Sequence, residues 1–262
     1  MLITLTTDFG NREGYPAAMK GVIYTLAPEA RIVDITHEIR PQNLYEAAFI
    51  LEINVFFFPP GTVHVVVVDP GVGTDRRPLV GRIGEQTILA PDNGVITRLL
   101  LRAEREGWKT AFVHADKPAY WRGEISSTFH GRDIFAPLGA HLAAGVPMKA
   151  LGRPILNPIR LPVQNPQRTS DGVRGEVIHV DHFGNAITNL RAEDLAGLKD
   201  VQVQAFGQTI DGLVRTFSDR PKGSLLALWD SSGYLMVSEF GGLKQIQPQV
   251  GDEVLVHGKN NK

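Results

Sequence analysis

The spacing of apolar residues in the first half of the chain predicts short strands that alternate with helices. Residues 2–7, 31–35 and 63–68 are alternating or continuous apolar runs, which are typical of β-strands. Between these runs, residues 15–26 and 44–57 carry apolar side chains at helical spacing. Strands that alternate with helices indicate an α/β fold with a central mixed, largely parallel sheet.

The pattern changes after residue 152. Residues 153–169 are dense in proline and show no periodicity, so we expect an extended linker there. Beyond it, short apolar runs are separated by glycine and Asp/Ser turns, which favours a small all-β, barrel-like domain. We therefore predict an α/β N-terminal catalytic domain over residues 1–152, a proline-rich linker over residues 153–169 and a β-barrel C-terminal domain over residues 170–262.

Composition narrows the class of protein. The formal net charge is −1, so nothing indicates a nucleic-acid groove or an anionic membrane surface as a partner. The chain has no cysteine, which removes disulfides, thiolate chemistry and cysteine-ligated zinc. No apolar run is long enough to span a bilayer, and the first residues do not resemble a signal peptide. We therefore expect a cytoplasmic protein.

Two predicted strands end at an aspartate that is followed by glycine. Asp8 follows the first strand, and Asp69 follows the run Val65 to Val68 on a Gly-rich loop that also carries Arg76. In open α/β sheets, ligands bind at the carboxyl ends of the strands, so these carboxylates are candidates for chemistry. Alternatively, Asp69 could simply cap the backbone amides of a turn.

Further candidates lie in two polar segments. His130 precedes a predicted helix, and together with Asp69 and Arg76 it could polarise a water or an oxyanion; it could also merely cap the helix. Asp181, Phe183 and Asn185 alternate, which would place an acid, an aromatic ring and an amide on one face. Such a set suits a ligand with an amine and a flat ring, although the same segment could be a β-turn.

Several common motifs are missing from the sequence. There is no G-x-G-x-x-G after a strand, which disfavours a dinucleotide fold, and there is no P-loop or G-x-S-x-G. Histidines do not recur at the spacing of a metal-binding helix, so we expect no dedicated metal site.

Six separated segments, in order, resemble the S-adenosyl-L-methionine hydroxide adenosyltransferase family, which is related to fluorinase and chlorinase. They are LTTDFG, VDITHEI, GTVHVVVVDPGVGTDRR, APDNGV, SSTFHGRDIFAP and VDHFGNAITNL, and they run from the first strand into the last domain, so the resemblance extends over nearly the whole chain. The resemblance implies an α/β domain with a β-barrel domain, and a homotrimer with substrate sites at subunit interfaces. It also implies hydrolysis of S-adenosyl-L-methionine to adenosine and methionine, with no cofactor.

The same resemblance assigns roles to individual residues. The family's water-activating Asp–Arg–His set, which the halogenases lack, falls on Asp69, Arg76 and His130. The implied substrate contacts are Asp8 and Phe129 for the ribose, Asp181 for the methionine amine, Phe183, Asn185 and Phe217 for adenine, and Ser231 for the methionine carboxylate. The halogenases have an arginine after that serine, whereas this chain has Ser232.

Two other functions stay open on the sequence alone. One is a metal-dependent phosphoester hydrolase that would use Asp8, Asp69, His130 and Asp133. The other is a non-catalytic module that binds adenosine or S-adenosyl-L-methionine and needs only Asp8, Phe183 and Asn185. The retained Asp69, Arg76 and His130 argue against a purely binding role.

Overall fold

A computed structural model describes residues 1–241 and 246–260, with only the backbone of Asn260. The chain divides into two compact units, Met1–Leu161 and Pro162–Lys262. The division falls inside the stretch predicted to be a linker. Residues Arg153–Ile155, at the start of that stretch, form a strand of the first unit's sheet.

The first unit, all of whose residues are described, is built on a mixed sheet. Its strands are β1 (Leu2–Thr7), β2 (Arg31–Thr36), β3 (Val63–Val67), β4 (Pro78–Ile83), β5 (Gln86–Pro91), β6 (Thr110–His114) and β7 (Arg153–Ile155). They lie in the order β2-β1-β3-β5-β4-β6-β7. The strands β2, β1, β3 and β5 are parallel, and the remaining pairings are antiparallel. The predicted mixed α/β sheet is confirmed.

The helices of this unit are α1 (Tyr15–Leu26), α2 (Leu44–Asn54), α3 (Thr97–Glu106) and α4 (Ala136–Ala143). Local sequence explains their ends: Pro16 lies in the first turn of α1, and Asn43 caps α2 by accepting from the Glu46 amide. Gly107, with φ of 68°, ends α3 in the left-handed conformation. Within residues 1–241 and 246–260, every helix is too short or too polar to cross a membrane.

Apolar side chains cover both faces of the sheet. Val65 and Val67 pack with α1 and α4 residues on one face, and Val66 and Val68 pack with α2 and α3 residues on the other. All four valines are almost fully buried. This burial explains the continuous apolar run in the sequence, because a parallel strand covered on both faces does not alternate.

The second unit is an antiparallel, barrel-like sheet. Its described strands are β8 (Gln167–Arg168), β9 (Gly172–Val180), β10 (Ala186–Arg191), β11 (Leu198–Ala205), β12 (Gln208–Asp211), β13 (Leu225–Trp229), β14 (Tyr234–Glu239) and β15 (Glu253–Asn260). They follow the order β12-β11-β15-β9-β10-β14-β13, and β8 pairs with β9. The edge strands β12 and β13 contact each other, so the sheet nearly closes around an apolar core. The predicted barrel-like fold is confirmed.

Candidate active site

The loop after β3 folds back on itself and brings Arg76 onto Asp69. Within the loop, the Val72 amide donates to the Asp69 carbonyl at 3.2 Å and the Thr74 hydroxyl donates to the Gly71 carbonyl at 2.7 Å. Arg76 then donates from Nε at 2.8 Å and from Nη2 at 2.5 Å to Oδ2 of Asp69. Their side chains are only 9% and 4% exposed, respectively, so this ion pair is largely removed from water.

One oxygen of this buried pair is left free. Both hydrogen bonds from Arg76 go to Oδ2 of Asp69, and in the described part of the chain no group donates to the buried Oδ1. An ionised carboxylate oxygen accepts hydrogen bonds strongly, and leaving it unpaired in a buried site is costly. The free Oδ1 is therefore an acceptor available to a small donor such as water.

His130 completes a three-residue contact. Arg76 Nη2 donates to His130 Nδ1 at 2.8 Å, so Nδ1 carries a lone pair and the neutral ring bears its proton on Nε2. Burial, together with the charge of Arg76, lowers the pKa of His130. The Arg76 guanidinium also lies 5.2 Å from the centre of the Phe135 ring. The histidine is thus a neutral Nε2–H donor, and although it precedes the helical turn, its side chain makes no capping hydrogen bond.

Asp133 holds the segment that carries His130. The Asp133 residue is fully buried and its carboxylate accepts from Arg122 at 2.7 Å, from Arg132 Nε at 2.7 Å and from the Ser126 amide at 2.8 Å. Burial would raise the pKa of Asp133, but these donors outweigh it and bring the pKa to about 2. Both carboxylate oxygens are occupied, so Asp133 acts as an anchor for residues 122–133.

The loop of Asp69 and Arg76 touches the segment before His130 at a glycine. Gly73 has φ of 79°, and a Cβ atom added there would lie 2.4 Å from the carbonyl oxygen of Ser127. Only glycine allows both this backbone conformation and this approach. The close contact keeps the loop of Asp69 and Arg76 against the segment that leads into His130.

Asp8 and an aromatic cluster lie at the same end of the parallel strands as Asp69. Asp8 directly follows β1, the parallel neighbour of β3, and its Oδ2 accepts from the Gln42 amide at 2.7 Å. The rings of Phe9, Tyr15 and Phe129 meet edge to face, with centroids 5.4 to 6.0 Å apart. Sequence reasoning missed Tyr15 and Gln42; the positive φ of Gln42 could not be seen in the sequence.

In the second unit, the segment from Asp181 to Asn185 is a turn and not a strand. Asp181 Oδ1 accepts from the amides of Phe183 at 2.8 Å and Asn185 at 2.9 Å, and Oδ2 accepts from Asn185 Nδ2 at 2.7 Å. Ser238 donates to Oδ1 of Asn185, and Gly184 has φ of 87°. Of the two arrangements that the sequence left open, one face of a strand or extended loop and a β-turn, the structure therefore has the turn, which the aspartate closes. Phe183 is left 77% exposed.

The two remaining predicted contacts lie on other turns of this unit. Phe217 begins a 3₁₀ turn capped by Thr216 and is 39% exposed. Ser231 is exposed in the turn between β13 and β14, where Asp230 accepts from the amides of Ser232 and Tyr234 at 2.8 Å. Among the described residues, no hydrogen bond joins Phe217 or Ser231 to Asp181.

The residues proposed for a metal site are otherwise engaged. Asp69 pairs with Arg76, and Asp133 pairs with two arginines. Over residues 1–241 and 246–260, no cluster of three or more His, Asp or Glu side chains could hold a metal ion. The arrangement of Asp69, Arg76 and His130 is suited instead to hold and polarise a water molecule.

The fold and the site together define a class: a two-unit protein with an α/β unit, a barrel-like β unit, and a buried Asp–Arg–His set beside the carboxyl end of the parallel strand β3. Comparison with known families finds a family with the same two-part organisation. Residues 3–152 match the model of the SAM hydroxide adenosyltransferase N-terminal domain, and residues 175–245 match that of the C-terminal domain. The chain belongs to the SAM hydroxide adenosyltransferase family.

Individual relatives are similar over almost their full length. The chain is 39% identical to a protein named (R)-S-adenosyl-L-methionine hydrolase from Salinispora arenicola, over 92% of this chain and 90% of that protein. It is 28% identical to a fluorinase from Nocardia brasiliensis, over 90% of this chain and 89% of that protein. A crystal structure of an uncharacterized conserved protein from Thermotoga maritima superposes with a TM-score of 0.88 at 35% identity, covering 98% of this chain and 100% of that one.

Proposed function

We propose that this protein hydrolyses S-adenosyl-L-methionine to adenosine and L-methionine, with water attacking the C5′ carbon of the ribose. Membership of the family and 39% identity to a protein named for this hydrolysis support the reaction. The single observation that carries the choice of nucleophile is the contact of Asp69, Arg76 and His130, because it leaves a free, buried acceptor beside a cation.

The charge change of the reaction favours such a site. Water that is losing a proton becomes negative while the sulfonium is positive, and both charges disappear as the C5′–O bond forms and the C5′–S bond breaks. A transition state less charged than its reactants gains from exclusion of bulk water. Free water has a pKa of about 15.7, so the site must stabilise the developing hydroxide character. The buried Arg76 guanidinium supplies the positive charge for this.

The geometry favours Asp69 as the proton acceptor. Nδ1 of His130 is already occupied by Arg76, and its Nε2 carries a proton, so this ring donates to the water. Oδ1 of Asp69 is free to accept the water's proton as the oxygen bonds to carbon. The electron pair of the C5′–S bond leaves with sulfur, which yields neutral methionine thioether.

We further propose how the substrate is held. Asp8 would bind the ribose diol and Phe129 would pack against the ribose, while Asp181 would bind the methionine amine. The remaining proposed contacts are Phe183, Asn185 and Phe217 for adenine, and Ser231 for the methionine carboxylate. We propose a cytoplasmic homotrimer with sites at subunit interfaces, no cofactor, and no nucleic-acid or membrane partner.

Isotope labelling tests this function. Purified protein is incubated with S-adenosyl-L-methionine in H₂¹⁸O with excess chelator, and the products are identified by mass spectrometry. We expect one ¹⁸O at the 5′-hydroxyl of adenosine and none in methionine. Release of methylthioadenosine, or activity abolished by the chelator, would overturn the proposal.

A variant separates catalysis from binding in the same assay. Asp69→Asn keeps the shape of the side chain but weakens the proton acceptor, so turnover should be lost while the substrate still binds. Wild-type protein that binds S-adenosyl-L-methionine without any turnover would instead support the non-catalytic binding module.

A further inference from the structure

Gln42 has an unusual backbone conformation beside Asp8. Its φ is 63°, in the left-handed region that residues other than glycine rarely adopt. In this conformation its amide donates to Oδ2 of Asp8 at 2.7 Å. Strained residues persist where the surrounding structure requires them, and they concentrate at functional sites. The hydrogen bond from the Gln42 amide accounts for this strained conformation, because it fixes one oxygen of the Asp8 carboxylate.

A chain of polar contacts, buried at Thr7 and His37 and partly exposed at Asp34, lies on the other side of Asp8. Thr7 Oγ1 lies 2.8 Å from His37 Nδ1, and Lys20 donates to Asp34 Oδ2 at 2.5 Å. Between them, His37 Nε2 lies 3.2 Å from Asp34 Oδ1 without the geometry of a hydrogen bond, so this contact is electrostatic. His37 is 3% exposed and Thr7 is fully buried. Although the order Thr–His–Asp resembles a catalytic triad, a fully buried hydroxyl cannot reach a substrate, so this chain of contacts is positional.

The two features meet at the residues around Asp8. The Gly10 amide donates to the His37 carbonyl at 2.7 Å, and the Phe9 amide donates to Thr7 Oγ1 at 3.3 Å. Asp8 is thus held between Thr7 and Phe9, both tied to this chain of contacts, while Gln42 binds its carboxylate directly. His37 and Gln42 belong to the same segment between β2 and α2.

We propose that His37 and Gln42 are positioning residues that orient the Asp8 carboxylate for a ribose cis-diol and set the preference for ribonucleosides over 2′-deoxyribonucleosides. This inference rests on the proposed function, in which Asp8 binds the ribose. A cis-diol offers two hydroxyl donors, and a carboxylate accepts both only when its plane is fixed. A rotating carboxylate would keep one hydrogen bond and lose the benefit of the second.

Binding of two nucleosides tests the inference without any need for turnover. Dissociation constants for adenosine and 2′-deoxyadenosine are measured by calorimetry, and their ratio is compared among variants. A hydrogen bond to a charged group is typically worth about tenfold or more in affinity, so wild-type protein should prefer adenosine by at least about that factor. Removing His37 (His37→Phe), or replacing Gln42 by proline, which has no amide N–H and cannot adopt the positive φ, should reduce the ratio to about two or three.

Conservative variants guard against a merely structural effect. His37→Gln can still contact Thr7 and Asp34, and Gln42→Gly keeps the amide and accepts positive φ without strain; both should retain the wild-type ratio. Asp34→Asn, at a partly exposed position, tests the chain of contacts from its outer end and should lower the ratio in part. It also serves if His37→Phe or Gln42→Pro fails to fold.

The outcomes separate the inference from the function on which it rests. Variants that weaken both nucleosides equally, or that leave the ratio unchanged, would overturn the positioning role while the proposed function stands. Wild-type protein that binds adenosine without preferring it over 2′-deoxyadenosine would overturn the inference together with the role of Asp8. Wild-type protein that binds neither nucleoside would count against both proposals.

Discussion

At the scale of single residues, two adjacent arginines have different partners. Arg76 contacts Asp69 and His130, whereas Arg77 pairs with the buried Asp92 at 2.5 Å and donates to the Asn157 carbonyl at 3.0 Å. We expect Arg76→Ala to slow single turnover by about a hundredfold, about 3 kcal/mol, because it removes the cation that stabilises the developing hydroxide. Substrate affinity, measured in parallel, should change little.

Arg77→Ala is the matched control for this prediction. Its loss leaves Asp92 buried without its cation, so the variant should unfold more easily, by about 1 to 3 kcal/mol, yet turn over within a few-fold of the wild-type rate. Thermal unfolding and single-turnover rates of both variants decide the matter. If Arg77→Ala were inactive and Arg76→Ala fully active, Arg77 and not Arg76 would be the arginine that activates the water.

The protonation of His130 predicts a pH profile. Its pKa is lowered by burial and by Arg76 from the usual 6.5, so the ring stays neutral at pH 7. When the pH falls below this lowered pKa, protonation removes the Nδ1 acceptor and places a second cation beside Arg76. The rate constant kcat should therefore be level above pH 6.5 and fall only on the acid side. The variant His130→Asn cannot titrate, so its kcat should be lower and should not fall on the acid side in this way. A decrease of the wild-type kcat that begins above pH 6.5 would contradict the assignment of His130.

At the scale of elements, the site depends on how closely two loops approach each other. Gly73→Ala places a methyl group against the Ser127 carbonyl and strains a positive φ, so the loops must separate. Since a displacement of about 1 Å can cost about a hundredfold in rate, kcat should fall strongly with a smaller change in KM. Gly21→Ala, in an open position of α1, is the control and should be neutral or slightly stabilising. Equal kinetic effects of the two substitutions would refute the role of this contact.

Elements with a strong local signal were predictable, and those set by tertiary contacts were not. The helix expected over residues 15–26 has those bounds in the structure, because Pro16 and the apolar period define it. The helix predicted after His130 instead begins as a π-helical turn, Gly131–Phe135, where Gly131 packs against the Phe9 ring. Strand β7 was missed because its pairing with β6 overrides the proline pattern.

The same distinction applies to the site. Asp69 and Arg76 are close in sequence on a glycine-rich loop, and the end of a buried strand made them candidates from sequence alone. The contact with His130, 54 residues away, depends on the packing of two loops, so the sequence alone left it open beside a helix cap and only the family resemblance implied it. The anchoring role of Asp133 could not be seen, because Arg122 and the Ser126 amide reach its carboxylate only once residues 122–133 have folded back on themselves.

At the scale of the whole molecule, a histidine distant from the chemistry couples stability to pH. His64 is fully buried between Thr4 and Gln86, and burial lowers its pKa from 6.5 to about 4. The unfolded chain takes up a proton near pH 6.5, but the native protein does so only near pH 4. The free energy of unfolding should therefore fall by up to about 3 kcal/mol from this residue as pH drops through that window.

His64→Gln isolates this contribution, since glutamine can hydrogen-bond but does not titrate. Denaturant unfolding at several pH values should give wild-type protein a steeper loss of stability than the variant between pH 6.5 and pH 4. Parallel curves for the two proteins would show that His64 is not held neutral in the native state.

The position of β3 in the sheet has a consequence for hydrogen exchange. This strand has β1 on one side and β5 on the other, and all its residues are buried, whereas β2 and β7 are edge strands. Amides in such an interior strand open only with the largest unfolding events, while edge strands open more often. In deuterium exchange followed by mass spectrometry, residues 63–67 should exchange last in the first unit and the edge strands well before them. Asp69, which directly follows β3, would then stay in position while the edge strands open and close. Local unfolding at the edges of this unit would therefore leave the active site intact.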